Sequence, residues 1–131
     1  MNPEELLFAK THEWAAISEQ DNQKIATIGI SSFAVEQLTD LVFIDLPEVG
    51  GSVTAGESFG EIESVKAVSD LYAPVTGEIV EVNSGISDKL ETFSSDPYGE
   101  GWILKVKISD DTNVASLMSY TDYQKQCEEE G

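Results

Sequence analysis

Apolar and polar positions alternate with a period of two along much of the chain. The clearest case is "WILKVKI" (102–108), where Trp102, Leu104, Val106 and Ile108 share one face and Lys105 and Lys107 the other. Such a pattern predicts a half-buried antiparallel strand, because successive side chains on a strand point to opposite faces. "EWAAI" (13–17), "KIATIGI" (24–30), "LVFIDL" (41–46) and "ESFGEIE" (57–63) are rich in β-branched and aromatic residues, with turn-formers between most of them. The chain therefore reads as mainly β.

Two helices are predicted within this pattern. "SSFAVEQL" (31–38) opens on serines, whose hydroxyls suit the cap of a short helix. Near the C-terminus, Asp111 or Thr112 is placed to cap a second helix, along which Val114, Leu117, Met118 and Thr121 follow the i, i+3, i+4, i+7 spacing of a stripe packed on a sheet. The tail "CEEEG" reads as a solvated end.

Composition narrows the class. A chain of 131 residues, 40% hydrophobic and 24% charged, fits one folded domain over 1–131 with one modest core. No apolar run approaches a membrane span, and the start "MNPEELLFAK" is acidic, unlike a basic or long apolar leader. A cytoplasmic protein is expected, or a mature form from which a leader has been removed. Seven lysines and no arginine stand against 25 acidic residues, for a net charge of −18. That charge excludes nucleic acid and anionic membrane as partners, since both are bound through phosphate neutralisation. It suits docking onto basic protein surfaces, or serves solubility alone.

Candidate chemistry is sparse. The single cysteine, Cys127, rules out an intramolecular disulfide, and Glu128, Glu129 and Glu130 beside it disfavour the thiolate. His12 is the only histidine and has no cluster at metal spacing. Neither a phosphate-cradling glycine loop nor a G-x-S-x-G elbow occurs. The chain is poorly equipped as an independent enzyme.

One lysine stands apart. In "GEIESVKAVSDLYAPVTGEIVEVN" (60–83), Lys66 follows Gly56 by 10 residues and precedes Gly77 by 11, each glycine near proline or small residues that read as turns. Two strands of similar length then flank Lys66, at the tip of a hairpin. The tip "SVKA" lacks the glycine, asparagine or proline that tight hairpin turns favour, and such a local conflict marks candidate functional sites. By periodicity alone, an exposed lysine on a strand is an ordinary solvated charge.

"ESVKAVSDLYAPVTGEIVEVN" closely resembles the lipoyl attachment segment of the glycine cleavage H-protein family. "THEWA", "ATIGISSFAVEQLTDLVFIDLPEVGGSV" and "SSDPYGEGWILKVK" match the same family in the same order, from about Lys10 to the C-terminal helix. The resemblance implies a lipoyl-domain-like barrel-sandwich hybrid of two antiparallel sheets, with short flanking helices and a C-terminal helix. It implies lipoate in amide linkage on Lys66, with Glu63, Val65 and Ala67 presenting that lysine to a lipoyl ligase or transferase. It implies three enzyme partners: a pyridoxal-phosphate glycine decarboxylase, a tetrahydrofolate-dependent aminomethyltransferase, and a flavin dihydrolipoamide dehydrogenase that reoxidises the arm. The loaded arm is expected to shelter in a cleft, its cationic amine met by Glu13 and Asp70 with Thr11 as a hydroxyl acceptor. The location implied is the cytoplasm of a bacterial-type cell, or the mitochondrial matrix after loss of a transit peptide.

Three neighbouring readings share the hairpin. A lipoyl domain of a 2-oxoacid dehydrogenase usually has aspartate before its lysine, where this chain has Val65. A biotinyl carrier usually has methionine on both sides, where Val65 and Ala67 stand. An H-like lipoyl relay, donating its cofactor to other enzyme complexes, has the same sequence features as the main reading.

Overall fold

The alternating stretches form two antiparallel sheets in the computed structural model, which describes residues 3–38, 40–110, 114 and 117–130. The strands are β1 (Leu7–Phe8), β2 (Glu13–Gln20), β3 (Gln23–Ile30), β4 (Leu41–Asp45), β5 (Ser52–Val53), β6 (Ser58–Ser64), β7 (Val68–Tyr72), β8 (Thr76–Val82) and β9 (Leu104–Asp110). The helices are α1 (Ser32–Leu38), α2 (Thr92–Ser95) and α3 (Tyr120–Glu130). The larger sheet has the order β1-β2-β3-β9-β8-β5, with two-residue strands at both edges, and the smaller has the order β4-β6-β7.

The main core lies between the sheets. Ile28, Ile79, Leu104 and Val106 from the larger sheet meet Ile44, Ile62 and Leu71 from the smaller, each 3% exposed or less. Removing side chains of this size from water stabilises the fold by about 1.5–3 kcal/mol apiece. The alternation in β9 holds for Leu104 and Val106 but not for Trp102. That residue precedes the strand and packs on a second cluster, with the Lys105 ammonium 5.2 Å from its ring centre.

The second cluster follows from alternation in β2. Ile17 packs against the main core, while Trp14 and Ala16 belong to the second cluster with Leu6, Phe8 and Tyr123. Gly29 is paired with Trp14 across β2 and β3, and a Cβ there would stand 2.4 Å from the indole. Only the missing side chain lets the indole lie flat on the neighbouring strand.

Tyr120, Tyr123 and Cys127 of α3, at i, i+3 and i+7, cover this cluster, with Phe8 and Tyr123 stacked at 4.5 Å. The C-terminal helix therefore begins later than the spacing of Val114, Leu117, Met118 and Thr121 predicts. Met118 instead bridges to Phe8 through two backbone bonds of 2.8 and 2.7 Å, and the expected caps Asp111 and Thr112 lie outside the described residues. The tail read as a solvated end is helical from Cys127 to Glu130.

Ser31 caps α1 as its hydroxyl predicts, accepting the Ala34 N–H at 3.2 Å. The turn read near Gly77 is present, but Gly77 itself is not part of it. It sits inside β8, opposite Ile108, and a Cβ would meet the Lys107 carbonyl at 2.1 Å. The chain turns earlier, at 73–75 around Pro74.

Candidate attachment tip and carboxylate cavity

Strands β6 and β7 pair from Ser58↔Tyr72 to Glu63↔Val68, which leaves Val65, Lys66 and Ala67 as the exposed loop of a hairpin. A loop this short normally needs positive φ, yet among the described residues other than glycine only His12, Asp21 and Asn22 have it. Ser64 resolves the conflict. Its N–H donates to the Ala67 carbonyl at 2.8 Å, and its side-chain oxygen takes the Ala67 N–H at 3.1 Å in place of the backbone carbonyl. A third bond, Val65 N–H to the Asp40 carbonyl at 3.0 Å, ties the tip to the segment before β4. The lysine thus projects from a braced turn. Glu63 lies on β6, while Val65 and Ala67 flank Lys66 in the loop.

A cavity of about 250 Å³ opens along β7, four residues from the tip. Ser69, Asp70 and Leu71 form one wall, α1 supplies Phe33, Ala34, Gln37 and Leu38, and Thr11, His12, Glu13 and Ile30 close the opposite side with Glu130. Thr11, Glu13 and Asp70, singled out from the sequence, share this one cavity. At about 3.3 Å of rise per strand residue, Asp70 lies roughly 13 Å along β7 from Lys66.

Glu13 is a charged residue type only 2% exposed. Its Oε2 accepts the Tyr72 N–H at 3.2 Å, and its Oε1 accepts the Thr11 hydroxyl. Burial pushes the carboxyl up to about 7, against the opposing pull of those donors. Near neutral pH this cavity therefore holds a carboxyl poised between its acid and its anion. Asp70, by contrast, is exposed, with the Tyr72 hydroxyl 3.4 Å from its Oδ2.

The outer face of the smaller sheet carries two cross-strand rows. Asp45, Glu61 and Asp70 stand opposite one another on β4, β6 and β7, and nearer the tip Phe43, Glu63 and Val68 do the same. Phe43, Val65 and Val68 are all more than half exposed. The surface beside Lys66 is thus apolar next to the tip and acidic beyond it.

Sequence reasoning missed the cavity residues His12, Phe33, Gln37, Ser69 and Glu130. The alternation of β7 and the i, i+4 spacing of Phe33 and Gln37 were available signals. The reach of Glu130 back to His12 was not, because 118 positions separate them. Cys127 behaves as expected, its thiol pushed up first by burial and further by Glu130. Among the described residues, no group of three His, Cys, Asp or Glu side chains could hold a metal ion, and no helix is long and apolar enough to cross a membrane.

A two-sheet antiparallel sandwich with one lysine braced at a hairpin tip, and a cavity further along the same hairpin, fits the class of lipoyl-type carriers. The profile of the glycine cleavage H-protein family matches residues 6–130. The chain is 55% identical over 130 residues to the glycine cleavage system H protein of Rhodopirellula baltica, covering 99% of this chain and 98% of that one. It is 52% identical over 128 residues to the H protein of Rubrobacter xylanophilus, covering 98% and 96%. The crystal structure of a glycine cleavage system H protein from Mycobacterium marinum matches with a TM-score of 0.82 at 42% identity, over 95% of this chain and 98% of that one. The chain belongs to the glycine cleavage H-protein family, a carrier component of the glycine cleavage system.

Proposed function

We propose that this chain acts as a single, non-catalytic carrier domain in which Lys66 holds lipoate and the cavity along β7 shelters the arm in transit. The observation that carries this reading is the buried Glu13 carboxyl, one short strand away from an exposed, braced lysine. The free ammonium of lysine has no redox chemistry, so the protein supplies position and the cofactor the reaction. Held in amide linkage on Lys66, the lipoyl group would supply a redox-active dithiolane able to carry a one-carbon amine unit.

The residues of this chain then act on the loaded arm. An ammonium entering the cavity favours the charged form of Glu13, so the buried carboxyl releases its proton and an ion pair replaces it. Thr11 and the Tyr72 N–H hold the carboxylate in place by donating to it. Asp70 adds a second acceptor at the mouth, and the apolar walls of Phe33, Ile30 and Leu71 exclude water from the bond that would hydrolyse. Glu63, Val65 and Ala67 shape the tip that a lipoyl ligase or transferase acylates.

The partners in this reading are a pyridoxal-phosphate glycine decarboxylase, a tetrahydrofolate-dependent aminomethyltransferase and a dihydrolipoamide dehydrogenase, acting in the cytoplasm. The test is reconstitution with those enzymes. Protein carrying one lipoyl group, located at Lys66 by intact mass and peptide mapping, releases carbon dioxide from glycine with the decarboxylase. Lys66→Arg keeps its fold, gains no lipoyl mass and supports no release. Lipoylation at any other lysine of that variant overturns the assignment.

A further inference from the structure

Thr11 and Glu13 flank His12, which has a φ of 81°. A bulky residue rarely adopts that conformation, and it persists only where the surroundings enforce it. Backbone bonds close the turn: His12 N–H to the Ala9 carbonyl at 3.0 Å, Ala9 N–H to the Glu13 carbonyl at 2.9 Å, and Ser31 N–H to the His12 carbonyl at 2.9 Å. The ring is held from α3. Its Nδ1 lies 2.6 Å from the Tyr123 hydroxyl, and its Nε2 lies 3.3 Å from Glu130. Gln126 of the same helix donates to the Lys10 carbonyl at 2.9 Å. One helix thus grips the Lys10–His12 segment at three points.

Tyr123 is the centre of that grip. It is 2% exposed, and its hydroxyl also lies 2.5 Å from the Oγ of Ser31, which is fully buried. Cys127 is a further hydrogen-bond neighbour of that hydroxyl. A tyrosine hydroxyl has one proton to give and room to accept two. Ser31 donates to the Tyr123 oxygen, and His12 Nδ1 and Cys127 are the other polar partners of that hydroxyl. Ser31 Oγ meanwhile accepts the Ala34 N–H.

We propose that Tyr123 is a positioning residue for the cavity: through its hydrogen bond to His12 it fixes the turn that aims Thr11 and Glu13 at the arm. The proposal deepens the reading of Glu13 as acceptor for the loaded arm and rests on it. Besides Glu13, the titratable side chains lining the cavity are His12 and Glu130, on the gripped turn and α3, and Asp70, on β7.

The test begins with unlipoylated protein labelled with ¹³C at its glutamate carboxyls, in which the Glu13 resonance is assigned by Glu13→Gln. Tyr123→Phe removes one oxygen and keeps the ring stacked on Phe8. The expected result is a Glu13 titration that moves from about 7 toward the ordinary carboxyl range as water reaches the loosened turn. His12→Gly, which removes the ring and tolerates the positive φ, gives the same shift and serves if Tyr123→Phe fails to fold. His12→Asn, whose side chain can accept from Tyr123 and adopts this backbone more readily, keeps the midpoint near that of the parent.

In loaded protein without partner enzymes, Tyr123→Phe releases formaldehyde and ammonia about three- to tenfold faster, the loss expected for one hydrogen bond. Added to Glu13→Gln, it changes nothing further. An unmoved Glu13 midpoint in a folded Tyr123→Phe protein, or an additive effect in the double variant, overturns the positioning role. Unchanged release in Glu13→Gln alone would instead refute the role of Glu13, a failure the titration keeps separate.

Discussion

The Glu13 carboxylate oxygen accepts the backbone N–H of Tyr72 at 3.2 Å, which joins β2 of the larger sheet to the last residue of β7 in the smaller. The same carboxyl that faces the cavity therefore also ties the two halves of the sandwich together. One group lines the cavity and links the two sheets.

Its titration makes the first prediction. The carboxyl holds its proton up to about 7 in the folded chain and loses it near 4.5 when unfolded, so the folded state binds more protons between those values. Its contribution is full below about 4.5, and stability is lost as pH rises through the window, by about 3 kcal/mol in all. Glu13→Gln mimics the protonated acid and removes that slope. Denaturation at pH 5 and pH 8 should show parent and variant close together at the lower pH, with the variant more stable at the higher.

The tip makes the second. Ser64→Ala deletes the oxygen that takes the Ala67 N–H, in a turn that offers no backbone substitute. A loss of about 1–2 kcal/mol in unfolding free energy is expected, together with slower lipoylation at unchanged ligase concentration. A variant that loses stability but is modified at the parental rate would show that the ligase does not read the turn.

Register makes the third. Moving the lysine to position 65 or 67 carries the amine off the loop or against the ends of β6 and β7, where each one-residue step reverses the side-chain direction. Lipoylation followed by intact mass should fall at least about tenfold for both shifted variants, a difference of about 1.4 kcal/mol in the barrier.

Charge makes the fourth. Asp45, Glu61 and Asp70 face one another across three strands, and like charges directly opposite oppose folding. Glu61→Gln should raise stability by a few tenths of a kcal/mol, up to about 1, at low salt. If this row meets basic partner surfaces, the apparent KM of the decarboxylase for this protein rises with salt as the Debye length shortens to about 8 Å, and the variant shows a shallower rise. A flat response in the parent assigns the charge to solubility.

Much of the scaffold was readable because its periodicity is strict. Leu104 and Val106 fall in the core as their alternation requires, and Ser31 caps α1 as serines before an apolar stretch predict. The turn before Gly77 was legible from Pro74, but the place of Gly77 was not, because glycine marks two opposite situations, a free turn and a crowded strand, and only the Lys107 carbonyl beside it decides between them. The C-terminal helix was misplaced because Val114, Leu117 and Met118 carry the stronger apolar signal. Tyr120, Tyr123 and Cys127, which cover the second cluster, look only moderately apolar. In the cavity, Thr11, Glu13 and Asp70 were found through family resemblance. The His12–Tyr123 contact spans 111 positions, and no local pattern announces it.

The edges of the larger sheet have a consequence for a protein that must stay free to move between enzymes. With β1 and β5 only two residues long, the outermost strands themselves offer a second copy only a short ladder. Crowded together at high concentration, neighbouring copies meet short outermost ladders on that sheet, and a net charge of −18 on each opposes their approach.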